Sequence, residues 1–147
     1  MRKLLIMEQF KAHHIERLKK VCGSDFELVQ IDSEDSDKVK EEIKNATIVI
    51  GEPSMELIVD YKNNCPELKL IQMAWAGTDI YTRSSLDFPK EAMMLANASG
   101  AYGHTISQYV IGQILSLNYK FKKYYDQQTK KVWLRQSPIK TLDKAKV

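Results

Sequence analysis

The segment MAWAGTDI, residues 73–80, is where residue types and spacing in this 147-residue chain first suggest chemistry. It follows an apolar run and contains Ala76 and Gly77, which are small enough for the backbone to come close to a ligand. Gly77 can adopt dihedral angles that turn successive N–H groups toward an anion such as a carboxylate. A glycine that ends a strand before a turn explains the segment equally well. Trp75 beside it is either a pocket wall or a core residue.

A second segment, NASGAYGHTIS (97–107), joins a glycine-containing loop to a predicted helix. His104 lies in this loop and could act as a general acid or base. That role needs a carboxylate close to the imidazole ring in space, and the sequence offers none nearby. His13 and His14, by contrast, fall inside a predicted helix and are expected to be structural.

Strands that alternate with helices must hold these segments in place. Short apolar, β-branched runs predict five strands, at 2–7, 26–32, 47–53, 68–77 and 92–100. Segments with apolar residues at helical spacing separate the first four of them, which predicts an α/β fold with a doubly wound, flavodoxin-like parallel sheet. Ligands bind such sheets beyond the carboxyl ends of the strands, where residues 73–80 lie.

Composition and motifs argue against several classes of protein. The chain has no run of roughly 18 apolar residues and no export signal, so we expect a cytoplasmic protein without a membrane partner. Cys22 and Cys65 are isolated, which predicts neither a metal site nor a disulfide. Residues 119–147 are basic but carry no nucleic-acid-binding motif, so no nucleic acid is expected as a partner. Neither GxGxxG nor GxxxxGK[ST] occurs, so the chain has no dinucleotide or P-loop fingerprint.

Two motifs together resemble a known family. LKLIQMAWAGTDIY (68–81), followed after a polar stretch by LANASGAYGHTISQYVIGQILSLNYKF (95–121), is similar to the N-terminal half of the D-isomer-specific 2-hydroxyacid dehydrogenases. The resemblance covers essentially the whole chain. It implies a substrate-binding α/β domain over residues 1–100, and an interdomain helix and arm over 101–147 that lead toward a missing NAD-binding domain.

The resemblance also implies roles for individual residues. It implies a substrate pocket for a small 2-hydroxy or 2-keto acid, formed by Gly51, Trp75, Ala76, Gly77 and Thr78, with the amides of the last three around the carboxylate. It implies cofactor contacts for three residues near the second motif, Tyr102, His104 and Thr105. The cofactor of the intact enzyme would be NAD or NADP, and no metal is implied. One departure is Gln108, which stands where family members usually carry a glutamate.

The family's glycine fingerprint, catalytic arginine, acidic residue and histidine match no residue of this chain. The resemblance therefore implies an oxidoreductase in which these 147 residues supply no catalytic group. Alone, the chain is expected to be inactive and to bind no cofactor.

The segment ISQYVIGQILSLNYKFKKYYDQQ (106–128) matches the family's interdomain helix, and we predict one long helix over 104–128. Its apolar stripe is too wide for one packing surface, which indicates a helix that lies between two bodies. Left uncovered, its apolar residues predict a homodimer through this helix, which the resemblance also implies. Two other hypotheses stay open. One is a stand-alone, non-catalytic flavodoxin-like binding or interaction module, and the other is an enzyme of a different kind that works at His104.

Overall fold

The computed structural model describes residues 1–136 and 141–144. The chain divides into two compact units, Met1–Ser99 and Gly100–Val147, called here the first and the second unit. In the part of the chain that the structure describes, no helix is long and apolar enough to cross a membrane.

The first unit is built on a five-stranded parallel sheet. Its strands are β1 (Arg2–Ile6), β2 (Phe26–Gln30), β3 (Ala46–Ile50), β4 (Leu70–Gln72) and β5 (Met94–Ala96), in the order β2-β1-β3-β4-β5. All four pairings are parallel. The predicted α/β fold with a doubly wound sheet of five strands is therefore confirmed. The last two strands are shorter than predicted, because the polypeptide beyond Gln72 and Ala96 leaves the sheet as loops.

Five helices connect the strands of the first unit. They are α1 (Ala12–Cys22), α2 (Ser36–Ile43), α3 (Met55–Val59), α4 (Tyr61–Asn64) and α5 (Asp79–Thr82). Gly23 ends α1 with a positive φ, 58°, which suits glycine. Asp35 caps α2, with its side chain accepting a hydrogen bond from the Lys38 amide at 3.1 Å. The segment between β3 and β4 forms two short helices rather than one, because Asp60 leaves helical geometry between them.

The core of the first unit is anchored on the central strands. Leu5, Val49 and Ile71 are direct partners across β1, β3 and β4, and none of the three has exposed surface. Alternate residues of a strand point to opposite faces, so these three share one face. Buried residues from the helices complete the same cluster, among them Val39, Ile43, Met55 and Ile58. This packing fixes the sheet that carries the loops at its carboxyl edge.

The second unit contains α6 (Gly103–Asn118), α7 (Phe121–Thr129) and a 3-10 turn (Leu142–Lys144). The prediction of one continuous helix over 104–128 is wrong. Lys120 adopts a left-handed conformation, φ 57° and ψ 40°, which no α-helix can continue through. The amides of Tyr119 and Lys120 turn back to the carbonyls of Leu115 and Leu117, at 2.9 and 3.2 Å, and so close the last turn of α6.

Candidate functional site

The loops that follow β1, β3 and β4 leave the sheet side by side. Three hydrogen bonds extend the ladder one residue past the strands, from Met7 to Ile50 (2.9 Å), from Gly51 to Gln72 (3.0 Å) and from Met73 to Ala96 (2.8 Å). Because parallel strands share a carboxyl edge, the residues after these positions lie at the edge where such sheets bind ligands.

Gly51 is the one predicted site residue whose backbone demands glycine. Its φ is 135°, and a Cβ at this position would lie 2.7 Å from the Cβ of Met7 and 3.6 Å from Oε1 of Glu8. Any side chain would therefore push the β1 and β3 loops apart. Gly51 lies at the expected edge, and its contact with a substrate remains a prediction.

Trp75 lies in the loop after β4 with 41% of its surface exposed, so it is not the core residue that one interpretation offered. Its indole Nε1 donates a hydrogen bond of 2.7 Å to Oε1 of Glu52, which follows Gly51. Sequence reasoning missed Glu52. Its only signal was an acidic residue immediately after a strand-ending glycine.

The backbone of residues 75–78 is held through its carbonyls. Asn97 Nδ2 donates to the Ala76 oxygen at 2.7 Å, the Ala98 amide to the Trp75 oxygen at 3.0 Å, and the Tyr81 amide to the Thr78 oxygen at 2.9 Å. Asn97 and Ala98 come from the loop after β5, so two neighbouring loops brace each other.

In the described part of the first unit, the amides of the same segment have no acceptor. No backbone carbonyl there accepts a hydrogen bond from the amides of Ala76, Gly77 or Thr78, and no side chain does. Gly77 does not have a positive φ, and a Cβ there would meet nothing closer than Oδ2 of Asp79 at 3.9 Å. No left-handed Gly77 presents these amides, and the role of its dihedral angles in turning them toward an anion stays a prediction. Three neighbouring N–H groups are nevertheless available to water or to an anion.

Carboxylates dominate the side-chain charge at this edge. The pKa of Glu8 is raised, first by burial of its carboxyl and then by the negative charge of Glu52. Arg83 carries a positive charge nearby in the sequence, but its Nε pairs with Oδ1 of Asp79 at 3.0 Å. Both partners of that pair are well exposed. The site thus combines backbone donors with acidic side chains.

Tyr81 holds the loop after β3 in place. Its hydroxyl is buried and donates a hydrogen bond of 2.9 Å to the Pro53 carbonyl. Burial, followed by the charge of Glu52, raises the pKa of Tyr81, so the phenol stays protonated and keeps donating. This contact fixes the path of the chain just beyond Glu52.

The predicted cofactor residues lie in the second unit. Tyr102 precedes α6 as its N-cap residue, and His104 and Thr105 occupy the first turn, where both are exposed. Nε2 of His104 lies 3.0 Å from Nε2 of Gln108. An amide nitrogen only donates, so His104 Nε2 accepts here and its neighbour is not the carboxylate that an acid–base role would need.

Metal-binding chemistry finds no support in the described ranges. They contain no group of three or more His, Cys, Asp or Glu side chains that could hold a metal ion. Both cysteines are free thiols, with Cys65 buried and Cys22 partly exposed.

No protein-family model matches the chain, and no curated protein matches it. Among solved structures, a D-isomer specific 2-hydroxyacid dehydrogenase family protein from Aeromonas salmonicida subsp. salmonicida matches with a TM-score of 0.71 and 26% identity, over 95% of this chain and 42% of that one. The PH0520 protein from Pyrococcus horikoshii matches with a TM-score of 0.66 and 19% identity, over 97% of this chain and 43% of that one.

The second likeness concerns the fold alone. The chain spans less than half the length of either solved structure. Over nearly its whole length, the predicted resemblance of this chain to the D-isomer-specific 2-hydroxyacid dehydrogenases is confirmed.

Proposed function

We propose that this chain is the substrate-binding portion of an NAD-dependent D-2-hydroxyacid dehydrogenase. The intact enzyme would transfer hydride between NAD or NADP and the CH–OH carbon of a small 2-hydroxy acid, forming the 2-keto acid. The observation that carries the proposal is the row of unsatisfied amides at Ala76, Gly77 and Thr78, at the carboxyl edge of a sheet similar to that of such a dehydrogenase.

Each proposed substrate residue has a physical task. The three amides donate hydrogen bonds to the substrate carboxylate, and the bonds that already hold the carbonyls of Trp75, Ala76 and Thr78 reduce the reorganisation that this requires. Gly51 keeps the β3 loop free of a side chain at its start. Trp75 forms a pocket wall that is held at a fixed angle by its bond to Glu52.

The cofactor would be held in part by the second unit. Tyr102, His104 and Thr105, at the start of α6, would contact the nicotinamide end. When bound, NAD or NADP supplies the carbon that accepts or donates hydride. No residue of this chain takes a catalytic role in the proposal, so we expect the 147 residues alone to be inactive and to bind no cofactor. We also propose that the protein is cytoplasmic.

A titration of the ¹⁵N-labelled chain with pyruvate tests the substrate site. We expect the amide resonances of Ala76, Gly77 and Thr78 to shift together. Gly77→Asp should abolish the shifts, because it adds a negative charge where the carboxylate binds. Gly77→Asn is the matched control, since it has the same shape without the charge and the space at Gly77 is open.

Equal binding by the two variants would contradict an anion site at these amides. Absence of any shift at residues 76–78 in the unchanged chain would contradict the proposed function. The stand-alone, non-catalytic module would then be the better hypothesis.

We further propose a homodimer through α6 and α7. Large apolar side chains are exposed along these helices, including Ile106, Tyr109, Ile111, Leu117 and Phe121. Burying one such side chain contributes about 1.5–3 kcal/mol, so a few of them would hold two copies together.

Light scattering across a concentration series tests the dimer. Ile111→Ser with Leu117→Ser should lower the mass toward that of a monomer. Val21→Ser is the matched control, because Val21 is 85% exposed on α1, outside the proposed interface. A monomer at every concentration would contradict the proposed dimer.

A further inference from the structure

We infer that Glu52, with Glu8 beside it, is a specificity-determining residue that restricts the site to acids with one negative charge. The inference rests on the proposed function and deepens it by naming the substrate class. That class is 2-hydroxy or 2-keto monocarboxylic acids with an uncharged side chain. Dicarboxylic and phosphorylated acids are disfavoured.

Glu52 is held against the pocket wall. Its Oε1 accepts the 2.7 Å hydrogen bond from Nε1 of Trp75, and Trp75 precedes the three unsatisfied amides. The strands β3 and β4 that carry these loops are neighbours, and neighbouring strands lie roughly 4.8 Å apart. Because Oε1 of Glu52 contacts Trp75 directly, the Glu52 charge lies well within one Debye length, roughly 8 Å, of that wall.

Glu8 adds a second negative charge on the same side. Its Oε1 is 3.6 Å from the place where a Gly51 side chain would begin. The pKa of Glu8 is raised first by burial of its carboxyl and then by the negative charge of Glu52. The absence of a side chain at Gly51 leaves both of them close to the turn of the β3 loop.

No ion pair offsets this charge in the described ranges. Neither Glu8 nor Glu52 forms one there, and Arg83 of the β4 loop is paired with Asp79. The amides of residues 76–78 can stabilise one carboxylate. A second anionic group on the same ligand would meet two carboxylates with no partner of its own. Repulsion of this kind selects against the wrong ligand without binding the right one more tightly.

Two acids that differ by one carboxylate test the inference. 2-Oxopentanoate and 2-oxoglutarate have the same main carbon chain, and only the second carries another negative charge. Binding of each is followed through the amide resonances of Gly77 and Thr78. We expect the unchanged chain to bind 2-oxopentanoate about tenfold more tightly than 2-oxoglutarate, because like charges close together at a protein surface repel each other.

Glu52→Gln removes the charge and keeps an oxygen that can accept from Trp75. It should reduce that preference several-fold, mainly by improving the binding of 2-oxoglutarate, and Glu8→Gln should do so to a smaller extent. The indole N–H resonance of Trp75 reports whether the wall is still in place. Glu67→Gln is the matched control, because Glu67 is exposed and precedes β4, at the opposite edge of the sheet.

The outcomes separate the two proposals. If both acids shift the amides equally, or if neither glutamine variant changes the preference, the specificity inference is overturned and the substrate site stands. If neither acid shifts the amides of residues 76–78, the proposed function is overturned and the inference falls with it.

Discussion

The two units of the chain treat their apolar residues in opposite ways. Every buried hydrophobic residue in the described part of the chain lies in the first unit, from Leu4 to Met93. In the second unit, Leu117 is 77% exposed and Trp133 is 88% exposed. Apolar residues at helical spacing occur in both units, so this spacing identifies the apolar face of a helix without saying what covers it.

The two units also differ in how far apart in the sequence their hydrogen-bonded residues lie. The sheet of the first unit joins strands that are far apart in the sequence, such as β1 and β3. In the second unit the described hydrogen bonds join residues no more than 12 positions apart, such as the 3.0 Å bond from the Leu134 amide to Oε1 of Gln127. A unit with long-range pairing and a buried core unfolds cooperatively, whereas one with local bonds and exposed apolar faces opens at lower cost.

The largest expected effect comes from a core truncation compared with a helix truncation. Ile71→Ala should lower the free energy of unfolding by about 2–5 kcal/mol, because Ile71 has no exposed surface and its removal leaves a cavity. Leu117→Ala should change it by less than about 0.5 kcal/mol in the monomer. Urea denaturation followed by circular dichroism at low protein concentration measures both. Similar losses would mean that Leu117 is covered in the free chain.

The reactivity of the buried thiol of Cys65 reports how readily the core of the first unit opens. Burial, followed by the charge of Asp60, raises the pKa of Cys65 to about 11. Because the thiolate is the reactive form, Cys65 should react with iodoacetamide at pH 8 at least about 100-fold more slowly than Cys22. Mass spectrometry of the modified peptides gives both rates. Comparable rates would show that the core opens readily and would remove the contrast between the units.

Replacing Gly51 or Gly112 by alanine should change the stability in opposite directions. Gly51→Ala should destabilise the first unit by about 1–3 kcal/mol, because of its positive φ and the 2.7 Å approach to Met7. Gly112→Ala should stabilise the second unit by about 1 kcal/mol, since Gly112 lies inside α6 with open space around it. Thermal denaturation of each variant measures the change. A destabilising Gly112→Ala would indicate that a partner packs closely against α6.

The sheet could be predicted from the sequence because its signals are local. Runs such as ATIVI in β3 are rich in β-branched residues. Glycines with a positive φ mark the ends of elements, with Gly23 after α1 and Gly51 after β3. The parallel arrangement then follows from the alternation of strands and helices. The short helix α5 was missed, since four residues are too few to establish a period.

The site could be predicted only in part, because its key contacts join residues distant in the chain. The loop that contains Trp75 was identified from a motif, but its bond to Glu52 spans 23 residues and leaves no periodic signal. The bracing of Ala76 by Asn97 is equally invisible in the sequence. Which amides are unsatisfied depends on all of these contacts together.

The break between α6 and α7 was also missed, because nothing near it resembles a helix stop. Lys120 occupies a left-handed conformation that costs a non-glycine residue roughly 1–2 kcal/mol, and Gly or Asn is the usual residue at such a position. Residues 113–129 contain neither Gly nor Pro, and the sequence alone therefore favours the continuous helix.

The Lys120→Gly variant distinguishes two helices broken at Lys120 from one continuous helix. Its expected effect on stability is the smallest of those predicted. Lys120→Gly should stabilise the second unit by about 0.5–1 kcal/mol, because it relieves the left-handed strain at some cost in chain entropy. Lys123→Gly, inside α7, should destabilise it by about 1 kcal/mol. Thermal denaturation followed by circular dichroism compares them. If both variants destabilise, residues 104–128 form one helix in solution, and the exposed apolar stripe of the second unit is continuous rather than split at Lys120.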